Sequence, residues 1–192
     1  MVAKSKTPRV LDFVITYLEM TARPTLSVLV PSGVKLALLR AESPTVSFYR
    51  YLYDTVGEPW LWWERRVLSD DDLQEILQAE GFELYVLYVN GVPAGFAELD
   101  RHAPREIDLA YFGLVPDFIG RGLGRYFLNA IVEMAWSFKP RRLTVNTCNF
   151  DHPKALAAYQ RAGFTPYGQT QVAVEDPRDR GIIPVEVAHA ND

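Results

Sequence analysis

The chain has 192 residues, of which 48% are hydrophobic and 23% charged, and its formal net charge is −4. This composition is typical of a globular protein, and the length predicts one domain with a sizeable core. The acidic balance excludes the broad basic face that bulk nucleic-acid binding needs. The single cysteine, Cys148, excludes an internal disulfide and favours a reducing, cytoplasmic location. With no second cysteine nearby, we expect no metal site.

The N-terminal part of the chain predicts a short arm followed by a strand. We expect a disordered arm over residues 1–9 and a single domain over residues 10–192. Apolar residues alternate from residue 10 to residue 20, which is typical of a half-buried strand. Because Asp12 and Glu19 interrupt this apolar stretch, it is neither a signal peptide nor a membrane span.

Strand and helix patterns then follow one another along the rest of the chain. Asn90-Gly91 lies between two apolar runs and is the strongest short hairpin signal, so we expect strands over Phe82–Val89 and Val92–Asp100. The other predicted strands span residues 34–40, 106–115, 143–147, 169–174 and 182–187. The predicted helices span residues 45–56, from the cap Ser69 to about residue 78, 122–138 and 153–162. This order predicts a mixed α+β fold.

The most informative segment is the glycine-rich stretch Gly120-Arg121-Gly122-Leu123-Gly124-Arg125, which lies between an apolar strand and an apolar helix. Glycines permit positive φ, and the amides that open a helix have no partners inside it, so this turn predicts a phosphate cradle. The Walker pattern is absent, and the dinucleotide fingerprint fails because residue 125 is arginine where it needs glycine. A glycine-rich surface turn with solvated arginines stays open as the alternative.

A second segment follows at the predicted short helix, where Ala155, Tyr159, Gly163 and Phe164 have the spacing A-x-x-x-Y-x-x-x-G-F. Together the two segments resemble the GNAT superfamily of acyl-CoA-dependent N-acetyltransferases. The first segment, from Ile119 to Gly124, is similar to that family's pyrophosphate loop, Q/R-x-x-G-x-G/A. The resemblance covers roughly residues 34–175.

The resemblance implies a fold, an activity and partners. The implied fold is a central mixed, mostly antiparallel twisted sheet flanked by helices, with the strand at residues 10–20 as an extra element. The implied enzyme is an N-acetyltransferase that moves the acetyl group of acetyl-CoA, its acyl donor, to a primary amine of a small molecule or peptide. The expected mechanism is direct transfer in a ternary complex. We expect neither a nucleic acid nor a membrane as partner, and a homodimer stays open.

Two other functional classes stay open beside this one. A non-catalytic acyl-CoA-binding or sensing domain would keep the cradle without a base. A nucleotide-phosphate enzyme of another class is disfavoured because the cradle lacks the lysine of a P-loop and the preceding strand is acidic.

Two positions depart from the family pattern. Ile119 stands where the family usually has Gln or Arg, which removes one polar contact to the cofactor but leaves the backbone cradle. Asn149 has the family spacing to Val145, but Ala155 follows it by six residues instead of three. The loop is therefore longer than usual, by residues 150–152.

The resemblance also implies site residues. Tyr159 is similar to the family tyrosine that donates a proton to the departing thiolate. Among bases we rank Asp108 first, Glu106 second and Glu98 third, since a carboxylate on an apolar strand is desolvated and its pKa rises. A solvated or salt-bridged role for each carboxylate stays open. An amide near Leu114 or Val115 is expected to polarise the thioester carbonyl. The expected cofactor-binding residues are Leu114, Val115, Ile119, Gly120, Arg121, Gly122, Leu123, Gly124, Arg125, Asn149, Ala155 and Tyr159.

Aromatic and basic residues give two further expectations. The aromatic group Trp60, Trp62, Trp63, Tyr49, Tyr51 and Tyr53 is either an acceptor wall, which would suit an apolar or cationic group, or ordinary core and dimer packing. Basic residues around the predicted cradle helix either steer an anionic cofactor or form a solvated face. These residues are Arg121, Arg125, Lys139, Arg141 and Arg142.

Overall fold

The computed structural model describes residues 8–25 and 30–187, and its strands form one seven-stranded sheet. The strands are β1 (Val10–Met20), β2 (Leu36–Ala41), β3 (Phe82–Val89), β4 (Val92–Asp100), β5 (Glu106–Leu114), β6 (Arg142–Cys148) and β7 (Thr165–Glu175). The helices are α1 (Val46–Gly57), α2 (Asp70–Gln78), α3 (Leu123–Ser137) and α4 (Ala155–Ala162). The predicted α+β class is confirmed, and the predicted hairpin strands β3 and β4 have the predicted bounds.

The strand order is β2-β3-β4-β5-β6-β1-β7, and neighbours are antiparallel except β5 and β6. These two parallel strands are paired only at their first residues, where Glu106–Leu109 of β5 lie beside Arg142–Val145 of β6. Beyond that point β5 continues beside β4, and β6 continues beside β1. A gap therefore opens between β5 and β6 in the middle of the sheet, and we call this gap the wedge.

Alternating side chains place a separate core on each face of the sheet. On one face, Leu84 and Val86 of β3 pack with residues of α1 and α2. On the other face, Tyr85 and Leu87 pack with residues of α3 and α4. The pairing of β4 with β5 shifts register so that Ala110 has no partner on β4. This β-bulge changes the face of the residues that follow it, beside the wedge.

Local sequence signals account for the ends of several elements. Asn90 and Gly91 both have positive φ, at 51° and 89°, as the tight turn between β3 and β4 requires. Ser69 caps α2 by accepting a hydrogen bond from the Asp72 amide at 3.1 Å, as predicted. At the start of α3, no side chain among the described residues forms a cap, and Gly122 occupies the cap position with φ of 77°.

The chain after β7 folds back over β1 and does not form the predicted strand at residues 182–187. Instead, the amides of Ile182 and Ile183 both donate to the Pro177 carbonyl, at 2.9 and 3.2 Å, which makes a compact turn. Ile183 is buried in a third cluster with Phe13, Leu61 and Phe150. The prediction was wrong because a short apolar run matches a strand and a buried turn equally well.

A buried ion pair fixes the start of this C-terminal turn. Arg178 and Asp176 are almost fully buried, and their Nη2 and Oδ2 atoms are 2.9 Å apart. Arg9 also pairs with Asp176, at 2.9 Å, and with Asp179, at 3.0 Å. Residues 1–7 of the predicted arm lie outside the described residues.

Candidate active site

A cavity of about 480 Å³ occupies the wedge between β5 and β6, which is an ordinary size for a small-molecule site. Residues 109–114 of β5 form one wall, and Asn146 and Cys148 of β6 form the opposite wall. Helices α3 and α4 close one side with residues that include Arg125, Leu128 and Tyr159. The segment at residues 60–64, between α1 and α2, closes the other side.

One end of the cavity is the glycine turn that precedes α3. Gly120 and Gly122 have φ of 82° and 77°, and a Cβ built on either would meet no described atom within 4 Å. Among the described residues no side chain caps α3, so its first amides and its dipole are available to an anion. Arg125 lines the cavity beside them, whereas Arg121 lies over the Phe118 ring at 5.1 Å. This end has the features of a phosphate cradle.

The predicted cofactor-binding residues divide into two groups. Those that line the cavity are Leu114, Ile119, Gly120, Gly124, Arg125, Ala155 and Tyr159. Those that do not are Val115, Arg121, Gly122, Leu123 and Asn149. Leu123 is buried in the core under α3, while Gly122 occupies the cap position of the helix.

The backbone of β5 decides between the two amides proposed to polarise a carbonyl. The Val115 amide donates to the Ala94 carbonyl at 2.9 Å and is therefore occupied. Amides of successive strand residues point alternately to the two neighbouring strands. Since the Val115 amide points to β4, the amides of Leu114 and Phe112 point to the other side, where the wedge is. The Val115 amide is therefore not free to polarise a carbonyl, and a role for the Leu114 amide stays a prediction.

Tyr159 lies on the inner face of α4 and lines the cavity. It is buried against the rings of Phe112 and Phe164, whose centroids are 6.4 and 5.9 Å from its own. Burial raises the pKa of the Tyr159 phenol, and the nearby charges of Asp151 and Asp108 raise it further. The phenol is therefore protonated at neutral pH and is available as a donor inside the wedge.

The three ranked carboxylates have different surroundings, and none of them lines the cavity. Asp108 is half-buried where β5 and β6 are still paired, and it accepts a hydrogen bond from the Thr144 hydroxyl at 2.6 Å. Burial raises its pKa. Glu106 is exposed, and its carboxylate is 3.5 Å from Arg142. Glu98 is buried, with its two oxygens bound to Tyr49 at 2.5 Å and Arg65 at 2.6 Å.

Two residues of the loop after β6 do not have the roles considered from the sequence. The side chain of Asn149 points away from the wedge, accepting from the Val14 amide at 2.8 Å and donating to the Asp12 carbonyl at 3.0 Å. Burial raises the pKa of the Cys148 thiol to about 12, with Asp151 adding to the shift. Cys148 therefore remains a neutral thiol at pH 7 and is not an activated nucleophile.

The end of the cavity opposite the helix-lined side is aromatic and carries carboxylates. Trp60, Trp62 and Tyr111 line it, and the rings of Trp62 and Tyr111 are 5.2 Å apart. Glu64 and Asp151 also line it. The indole N–H of Trp62 donates to Asp151 at 3.1 Å, which joins the segment at residues 60–64 to the loop after β6.

A family model for acetyltransferases, described as the "Acetyltransferase (GNAT) family", matches residues 45–164, more than half of the chain. The chain belongs to the GNAT family. It is an N-acetyltransferase, and acetyl-CoA is its acyl donor. The match includes the glycine turn, α3, the wedge and α4, and ends before β7. No protein of curated function matches the sequence.

Solved structures show the same fold at low sequence identity. A protein of unknown function from Staphylococcus epidermidis aligns with a TM-score of 0.61 and 14% identity over 87% of this chain, which spans 63% of that protein. An IAA acetyltransferase from Bacillus cereus aligns with a TM-score of 0.54 and 22% identity. This alignment covers 70% of the present chain and 79% of the Bacillus cereus chain. A spermidine N-acetyltransferase from Vibrio cholerae, in complex with CoA and spermine, aligns with a TM-score of 0.56 and 17% identity. This alignment covers 76% of the present chain and 98% of the Vibrio cholerae chain.

Several residues of this GNAT cavity were not predicted from the sequence. Glu64 and Asp151 come from loops, where periodicity gives no signal, and their shared neighbour Trp62 connects them only in the folded chain. The members of the predicted aromatic group lie in different places. Tyr49 and Tyr53 are core residues, Tyr51 is exposed, Trp63 packs against the third cluster, and Trp60 and Trp62 line the cavity. Tyr49 and Tyr53 therefore agree with the core alternative, while an acceptor wall stays a prediction for Trp60 and Trp62.

The basic residues predicted to surround α3 do not form one face, because they lie at its two opposite ends. Arg125 and Arg121 lie at the start of α3, but Lys139, Arg141 and Arg142 follow its end, about 22 Å away for a helix of 15 residues. Arg142 bonds to Glu19 at 2.7 Å and lies over the Tyr167 ring at 4.8 Å. No helix within residues 8–25 and 30–187 is long and apolar enough to cross a bilayer.

Proposed function

We propose that this protein transfers the acetyl group of acetyl-CoA directly to a primary amine of a small molecule or peptide in a ternary complex. The observation that carries the proposal is the continuity of the cavity, which runs from the cradle before α3 through the wedge to the aromatic side. A donor held at the cradle and an acceptor on the aromatic side would meet in the wedge. The neutral Cys148 thiol supports direct transfer over an acyl-enzyme on this cysteine, because a cysteine attacks as its thiolate.

The residues of the wedge supply the groups that the transfer needs. The amine nitrogen attacks the thioester carbonyl carbon, whose oxygen is stabilised by the Leu114 amide as negative charge develops. The carbonyl then forms again as the C–S bond breaks, and Tyr159 donates its proton to the leaving sulfur and regains a proton from solvent. Asp108 is our proposed acceptor for the proton that the amine loses, since its raised pKa brings it closer to the useful range. Because Asp108 lies just outside the cavity, the proton reaches it through solvent.

The test is an initial-velocity study with acetyl-CoA and a panel of amines, following free thiol release. Direct transfer predicts intersecting double-reciprocal lines, whereas parallel lines would indicate an acyl-enzyme and contradict the mechanism. Calorimetry on the same preparation measures CoA binding. Tight CoA binding with no thiol release for any amine would contradict the transferase proposal and favour a sensing domain.

A further inference from the structure

We propose that the acceptor is a small amine with one positive charge on a flat apolar body, of the arylalkylamine type, and that Glu64 anchors its ammonium group. The inference rests on the proposed function, because it assigns a substrate class to the acceptor side of the same cavity. The acceptor side is defined here as Phe13, Trp60, Leu61, Trp62, Glu64 and Tyr111, all of which line the cavity.

The distribution of charge over the cavity wall separates the two substrates. The cationic side chains in the wall are Arg125 of α3, Lys154 immediately before α4 and Arg161 of α4. The carboxylates in the wall are Glu64 and Asp151, from two loops that Trp62 connects. An anionic cofactor is therefore attracted to the helices, and a cationic acceptor is attracted to the loops.

Glu64 is the carboxylate with an oxygen available to a ligand. Its Oε2 atom accepts from the Tyr53 hydroxyl and from the Trp63 amide, both at 3.2 Å. Its Oε1 atom accepts no hydrogen bond from the part of the chain that the structure describes. The two bonds to Oε2 fix the carboxylate in the wall, and Oε1 can accept from an ammonium group, which brings three donors.

Asp151 serves to position the wall rather than to hold the amine. Its Oδ2 atom accepts from the Thr147 hydroxyl and the Cys148 amide, both at 2.8 Å, and its Oδ1 atom accepts from the Trp62 indole at 3.1 Å. These three donors occupy both of its oxygens, and the bond from the indole fixes the Trp62 ring across the acceptor side. Asp151 is therefore a positioning residue, and among the described residues of the acceptor side Oε1 of Glu64 is the anionic oxygen left for the amine.

The remaining wall favours an apolar, flat group over a second charge or many hydroxyl groups. Phe13, Leu61 and the rings of Trp60, Trp62 and Tyr111 surround the space next to Glu64. A second ammonium group buried among them would lose its hydration without a partner, which is costly. An aromatic ring would pack against these side chains and retain the single charge for Glu64. The cavity also has to admit the thioester arm of the donor, so the acceptor must be small.

The experiment compares kcat/KM for 2-phenylethylamine, spermidine and kanamycin with saturating acetyl-CoA. We expect 2-phenylethylamine to be the best of the three by at least tenfold. Glu64→Gln should raise its KM about tenfold, because the protonated amine loses its ion pair in the complex that forms first. Its kcat should change less than threefold, because the amine is neutral when it attacks and the amide oxygen that replaces the carboxylate still accepts from its N–H. The control is Glu80→Gln, which removes the same charge at an exposed position outside the cavity and should leave KM unchanged.

The outcomes separate this inference from the proposed function. Higher kcat/KM for spermidine or kanamycin, or an unchanged KM in Glu64→Gln with a wild-type melting temperature, would overturn the inference while acetyl transfer stands. Absence of thiol release with all three amines and with a wider amine panel, in a preparation that binds CoA, would overturn the proposed function itself. If Glu64→Gln fails to fold, Glu64→Asp, which keeps the charge but shortens the reach, must raise KM for the inference to hold.

Discussion

The two sides of the cavity are built in opposite ways. The donor side comes mainly from two short segments, the turn at residues 119–125 and helix α4, and it relies on backbone conformation and a helix terminus. The acceptor side is assembled from β1, the segment at residues 60–64 and β5, and it relies on side chains. A site that binds through main-chain groups tolerates substitutions around it, whereas the specificity of a site that binds through side chains changes when they are substituted. The donor is thus specified by the fold, and the acceptor by this particular sequence.

The largest effect should come from Tyr159, which lies where the two sides meet. Tyr159→Phe should lower kcat by roughly 10²–10⁴-fold, the usual contribution of a general acid, with CoA affinity near wild type. Steady-state rates and calorimetry on one preparation check this. Tyr126→Phe is the control, because it removes a phenol from α3 that does not line the cavity. Unchanged turnover in Tyr159→Phe would remove Tyr159 from the mechanism.

The donor side can be tested with a pair of glycines that share one backbone conformation. Gly122→Asp should weaken CoA binding by at least tenfold, because it places a carboxylate at the cradle beside the phosphates, and each ~1.4 kcal/mol is tenfold. Gly33→Asp introduces the same side chain at the same φ of 77°, also in open space, but far along the chain from the cradle. Both variants carry similar backbone strain. Equal CoA affinity in the two, measured by calorimetry, would refute the cradle.

The acceptor side can be tested with two neighbouring tryptophans. Trp60→Ala should raise the acceptor KM several-fold and leave the acetyl-CoA KM near wild type, because Trp60 lines the cavity. Trp63→Ala should lower the melting temperature by several degrees with little change in KM, because Trp63 packs on the third cluster. Measuring both quantities on both variants tests the division. A similar result for the two would show that the tryptophans act together in one core.

The smallest expected effect concerns the pH profile. The carboxylate of Asp108 must be ionised to accept a proton, so the rate should rise with pH through its raised pKa. Asp108→Asn should remove that acidic limb and leave only the limb of the amine itself. A profile measured from pH 5 to 9 with one amine shows the difference. If the acidic limb persists in Asp108→Asn, the proton acceptor is another group, and Glu64→Gln is the next variant to measure.

The two sides of the cavity also differ in how far they could be predicted from the sequence. The glycine turn and the hairpin around Asn90-Gly91 carry their signal within a few residues, because local backbone conformation determines them. The position of Glu64 could not be predicted, since its place in the wall depends on contacts with Tyr53 and on a wedge between distant strands. Asp108 is ranked first as a carboxylate on an apolar strand, but the strand pattern does not show that β5 and β6 are still paired at Asp108, before the wedge opens.

The extra N-terminal strand has a consequence for the order of folding. β1 lies between β6 and β7 in the sheet, so its first partner begins at Arg142, more than 120 residues later in the chain. On a ribosome β1 emerges before its partners β6 and β7, and these pairings cannot form until residues beyond 142 have been made. Such non-local pairing is slow, because a long loop must close before any contact forms. The β1-β6-β7 half of the sheet, together with the acceptor wall at Phe13, is therefore expected to form last, after the hairpin of β3 and β4.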